Sequence, residues 1–240
     1  MQQLKFMGFW DKFKRPKPTT EAGSIVEEII VQEQLDRRVR SIKLLKRNNI
    51  PTINHLPVIE SKAQSIRRSL GEVIERAYAL SVVAERAHNP DVEFINNLIT
   101  QYNVSGFTDN EKLFIDDKNP SEQDLTNFSW RSEALYVLLW ALGHVDEMTV
   151  PDSQQNFKDL YEPIATKSRY DFEQYSNLRP QEEILDQADL IYRVHWAVRN
   201  AKGGKVPGNL SASVVMERHY TLNWLVGYMK QEWDDISTDT

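Results

Sequence analysis

From Ser24 to the end of the chain, apolar residues recur at helical spacing, and no segment alternates apolar and polar positions convincingly as a strand does. Ser24–Asn48 carries Glu27 and Glu28 early and Arg40, Lys43, Lys46 and Arg47 late, the order a helix dipole favours. Pro51 and Pro57 bracket a loop. The stripe Ile66, Leu70, Val73, Ala77, Leu80 and Ala84 predicts one helix over Ser61–His88, ended by Asn89-Pro90. Asp91 caps a short successor, and Thr108 with Glu111 forms a capping box that opens another. Ser121 starts a longer helix that Gly143 terminates. Residues 144–180 are the least regular, with one helical turn near Phe157–Tyr161. Helices around Asp186–Ala201 and Ser211–Met229 follow, joined by the loop Gly203-Gly204-Lys205-Val206-Pro207-Gly208. The expected fold is all-α: a single, non-repetitive helical domain over residues 24–240, with C-terminal helices that bury Trp, Arg, Asp and Glu.

Residues 1–23 differ from the rest. Phe6, Phe9, Trp10 and Phe13 follow an i, i+3, i+4, i+7 pattern among Lys5, Lys12, Lys14, Arg15 and Lys17, before Pro16, Pro18 and Gly23 break it. This basic aromatic arm reads as a terminus whose aromatics pack on the domain. Its other readings are a helix lying on an anionic membrane surface and one docking a partner. Met7-Gly8-Phe9 resembles an alternative start, although Lys12 stands where a lipidated Met-Gly terminus needs Ser or Thr.

Composition narrows the class. A net charge of −6 argues against a nucleic-acid groove, whose footprint is basic. Cysteine is absent, which excludes disulfides, thiolate metal sites and a cysteine nucleophile, and fits a reducing cytoplasm. The longest uncharged apolar run, Ala134–Leu142, falls far short of the roughly 20 residues that cross a membrane. These features predict a cytoplasmic location with no transmembrane segment.

Charges inside the most apolar helices are the strongest chemical signal. Asp186, Asp189, Arg193 and His195 lie on one such helix, Glu217, Arg218 and His219 on the next, and Glu133 within Trp130–Leu142. Such groups rarely enter a core unless paired or functional. Asp186, Asp189, Arg193 and Asn200 share a stripe, and Asp189 with Arg193 form an i, i+4 pair. Arg218 points the same way as Val214, Leu222 and Leu225, so it needs a carboxylate from Glu133, Asp186 or Asp189. The eight residues form either a paired network that docks three helices or a pocket that binds a small polar ligand. His195 reads as a satisfied core residue, and His219 is the better candidate ligand.

Known catalytic signatures are missing. There is no Walker A, nucleophile elbow or HExxH. Glu85-x-x-His88 matches one half of a di-iron site, and no second half is found. No metal or cofactor is therefore expected. Trp233 and Ile236 interrupt the acidic terminus Glu232, Asp234, Asp235 and Asp239, and predict that it is anchored.

Several segments together resemble a bacterial family filed as domain of unknown function 4272. They are Trp130-Arg-Ser-Glu133, Leu139-Trp-Ala-Leu-Gly143, the run Glu183–Ala197, Glu217-Arg-His-Tyr-Thr-Leu-Asn-Trp-Leu225 and Trp233–Thr240. Leu56-Pro57 and Arg67–Arg76 match as well. The resemblance runs from about Arg37 to Thr240 and implies one folding unit. It carries no activity and assigns no catalytic residue. The first functional expectation is a non-enzymatic interaction or regulatory protein with a partner in a groove between the C-terminal helices, or on the arm. The alternative is a hydrolase-like enzyme or small-ligand sensor with a carboxylate and histidine pocket.

Overall fold

The computed structural model describes residues 21–201 and 206–240, with side chains from Glu27 onward. Helices α1 (Glu21–Arg47), α2 (Leu70–His88), α3 (Val92–Tyr102), α4 (Asp109–Asp116) and α5 (Glu122–Ser129) make up the first half. Helices α6 (Arg131–Ala141), α7 (Phe157–Ala165), α8 (Arg169–Tyr175), α9 (Gln181–Arg199) and α10 (Ala212–Val226) follow. The described residues contain no strand, so the fold is all-α. The basic aromatic arm lies outside them except for Glu21–Gly23, which begin α1.

Packing runs in a series of neighbours. Helix α1 lies on α9, α9 on α10, α10 on α6 and α6 on α2, which also meets α3, α4, α5 and α7. Helix α6 is buried from Ser132 to Ala141, with side chains enclosed on every face, as expected of a central helix. One continuous buried cluster joins α2, α6, α9 and α10.

The first departure from the sequence pattern concerns residues 61–69, which are not helical. Ser69 caps α2 in a reciprocal box with Glu72, so the helix starts at Leu70, and Ile66 is exposed rather than part of the stripe. The preceding residues satisfy another helix. Arg68 N–H donates to Leu225 O at 3.0 Å, and Ser65 Oγ donates to Val226 O at 2.8 Å, capping the carbonyl end of α10. Gly227 then leaves α10 with φ +69°, and a Cβ there would run into the Ile66 carbonyl. Gly227→Ala should therefore cost more than the roughly 1–2 kcal/mol of a left-handed backbone and lower the melting midpoint by about 5 °C. Gly71→Ala, in open space within α2, should leave the midpoint unchanged or raised.

A second departure divides the expected Ser121–Gly143 helix at Trp130. Ser132 Oγ and Gln154 Nε2 both donate to the Ser129 carbonyl, at 3.0 and 3.1 Å, drawing it away from continuous helical bonding. A third is that residues 144–180 hold two helices instead of one turn, α7 capped by Asn156 and α8 by Ser168. The C-terminal segment is anchored as expected, with Trp233 and Ile236 buried.

Candidate functional site

The unusual charges lie on α6, α9 and α10, with α10 packed between the other two, and the carboxylates are each met by arginine. Glu133 is fully buried, and its Oε2 accepts from Arg218 Nε at 3.0 Å. Its Oε1 accepts from the Gln155 backbone N–H. Arg218 Nη1 also donates to Thr149 O at 2.6 Å, and the guanidinium lies 4.8 Å from the centre of the Tyr136 ring. Glu133 is thus the carboxylate that the Arg218 position required.

Beside this pair the polarity reverses. Arg131 of α6 donates to Glu217 of α10 at 2.9 Å. The two helices therefore exchange one acid and one base each. Burial pushes the Glu217 carboxyl above its usual range, and the Arg131 charge only partly offsets that.

Helix α9 keeps its own pair. Asp189 accepts from Arg193 Nε at 2.9 Å and from Nη2 at 2.7 Å, and the same Nη2 reaches Pro57 O at 3.2 Å. Asp186 does not join this pair. It is half-exposed and holds α1 through Arg37 at 3.2 Å and Arg40 at 2.6 Å.

His195 of α9 and His219 of α10 share a hydrogen bond between their Nδ1 atoms at 2.8 Å. One ring must donate and the other accept, so the accepting ring is neutral and carries its proton on Nε2. Burial, assisted by Arg199, lowers His195 to about 4. Burial, with His195 adjacent, lowers His219 to about 3.

Linkage fixes the consequence of these low values. Each ring charges in the unfolded chain near pH 6.5 but resists charging when folded, so the unfolded state takes up protons first as pH falls. The stability they contribute is present above pH 6.5 and is lost as pH drops toward about 4. Urea unfolding at pH 7.5 and pH 5 should show a loss of about 2 kcal/mol from each ring, on the order of 4 kcal/mol from the pair. A His195→Gln/His219→Gln double variant should lose correspondingly less over the same interval.

Of the five best-defined cavities, of about 270 to 460 Å³, none is lined by more than one of the eight side chains. His219 lines a groove of about 410 Å³ between α9 and α10, closed by residues 56–60 and by the C-terminal Asp239 and Thr240. Arg218 borders a second cavity, beside Leu44, Val150 and Leu210. Among the described residues no group of three or more His, Asp or Glu is placed to hold a metal ion.

Several charged partners escaped the sequence pattern, among them Arg131, the buried Arg37 that meets Asp186, and the buried pair Arg76 and Glu111. Arg131 was visible in Trp130-Arg-Ser-Glu133 but sits at the helix start, where a base reads as exposed. Arg76 of α2 pairs with Glu111 of α4, both nearly enclosed. Arg76 adjoins the apolar stripe at Ala77, and the signal that singled out Arg218 would have found it.

Residues 37–236 match the model of the family described as a domain of unknown function, DUF4272, and the chain belongs to that family. Neither the curated proteins nor the solved structures gave a match. Among the described residues no helix is long and apolar enough to cross a membrane.

Proposed function

We propose that this protein is a non-enzymatic, regulatory binding module of the cytoplasm that engages a segment of another polypeptide in the groove between α9 and α10. The groove lining is mostly apolar and aromatic, with Val58, Ile59, Tyr192, Val226 and Tyr228 around the neutral His219. Clustered aromatic side chains of this kind favour protein interfaces.

The observation that carries the reading is the backbone at 57–60. The carbonyls of Pro57, Ile59 and Glu60 accept from Arg193, Gln34 and Arg37. The N–H groups of Val58, Ile59 and Glu60 donate to nothing among the described residues. A partner chain laid along this edge offers carbonyls to the alternate donors of Val58 and Glu60 while its side chains enter the groove, a recurrent mode of peptide recognition. The absence of cysteine suits the cytoplasmic setting.

Internal pairing of the charges supports a binding role over a catalytic one. A general acid or base needs a reachable, ionisable group, whereas the carboxylates here are committed to arginines. The test places a photo-crosslinking phenylalanine analogue at Tyr192 of the full chain in cells. A discrete protein adduct is expected, and Val58→Pro should abolish it. That substitution removes one free N–H without losing an internal hydrogen bond. A folded protein giving no adduct, or one indifferent to Val58→Pro, would overturn the reading.

A further inference from the structure

Helix α1 lies on α9 through one face, where Arg37, Ser41 and Leu45 are buried. A different face carries a second apolar stripe. At 3.6 residues per turn, Val31, Leu35, Val39 and Ile42 fall within about 80° of arc. The first three are between 39% and 62% exposed. Single apolar residues on a surface need no explanation, but three successive turns aligned on one face do.

The helix also outruns its support. Within residues 27–36, only Glu33 and Gln34 hydrogen-bond to another part of the described chain, at Lys62, Ile59 and Gln64. Glu27, Glu28, Ile29, Val31 and Gln32 are all exposed. Helical turns without tertiary packing are marginal in water, so this end calls for something that packs against it.

Charge specifies that partner. The ion pairs of α1 are made by Glu33, Arg37 and Arg40, which leaves Glu28, Lys43 and Lys46 exposed and unpaired among the described residues. Turned end for end about Leu35, a second α1 places Val31 against Val39 and Glu28 beside Lys43. Two-fold symmetry repeats each contact, and Leu35 meets its own copy on the axis. A parallel copy would instead set Glu28 against Glu28 and Lys43 against Lys43. The stripe is thus complementary to itself in the antiparallel sense, as a closed two-fold interface requires.

We propose that the protein forms an antiparallel homodimer through this stripe of α1. The stripe shares no residue with the groove between α9 and α10, so each copy keeps its own groove lining.

Sedimentation equilibrium of the full chain, from micromolar to submillimolar concentration, tests this. Twice the chain mass is expected. Leu35→Glu faces two carboxylates across the axis and should give a monomer, with its helical circular dichroism kept because the position is exposed in the single chain. Glu28→Lys or Lys43→Glu alone turns two attractions into repulsions and should weaken association about tenfold. The two substitutions together should restore it. A wild-type monomer across this range would overturn the proposal and leave the stripe to the N-terminal arm or to a different protein. So would a dimer indifferent to Leu35→Glu, or a double variant no tighter than the single ones.

Discussion

Replacing Arg218 by leucine should lower the melting midpoint by about 10 °C. The guanidinium and Glu133 are both almost fully enclosed and 3.0 Å apart. Leucine removes the partner and leaves a carboxylate that has only the Gln155 N–H for compensation. Breaking a buried pair in this way costs roughly 3–5 kcal/mol, and each kcal/mol moves the midpoint by about 2–4 °C in a domain of this size. The Thr149 carbonyl also loses its donor, so the loop after α6 loosens at the same time. A Glu133→Leu/Arg218→Leu double variant should recover part of the loss, because no charge is then left buried alone. Thermal denaturation of the four proteins gives the cycle, and additive losses would show that the pair is not coupled.

Asp189→Asn should be nearly as damaging, and its contrast with Glu217→Gln is the sharper experiment. Asp189 supplies both acceptors of a buried guanidinium, while Arg193 Nη1 already lacks a partner. The amide keeps the shape but removes the charge, so Arg193 stays buried with only the Pro57 carbonyl and a neutral side chain. A cost of about 3 kcal/mol or more follows. Pro57 lines the groove between α9 and α10, so the same variant should weaken partner capture there. Glu217 is different. Its carboxylate is disfavoured by burial in spite of Arg131. Arg131 keeps partial exposure and has Glu111 and Tyr220 nearby. Glu217→Gln should therefore move the midpoint by less than about 3 °C, or roughly 1 kcal/mol. Equal losses in the two variants would show that the pairs are held alike.

Much of this was legible from local pattern. The caps at Asp91, Thr108 and Ser121, the stop at Gly143 and the all-α class rest on interactions within a few residues, where spacing determines the contact. The requirement that Arg218 meet a carboxylate was legible too, because a cation on an apolar face has few ways to be satisfied. The errors fell where a distant segment competes with the local signal. Ile66 continues a helical stripe in the sequence, yet Ser65 and Arg68 spend their donors on the end of α10, and Ser69 starts the helix afresh. Ser129 sits inside an apparent helix, yet Gln154 takes its carbonyl and the chain breaks at Trp130.

The amino-acid sequence by itself determined that the protein is helical, that its C-terminal helices bury charge and that it belongs with its family, since periodicity, capping and motif order are properties of neighbouring residues. Only the tertiary structure decided which charge meets which. Glu133 takes Arg218 across 85 positions, Glu217 takes Arg131 across 86, and Asp186 turns outward to α1 instead of joining Asp189 on its own stripe. The physical reason is that helical phase sets the direction of a side chain, whereas its partner depends on which helix the packing brings opposite.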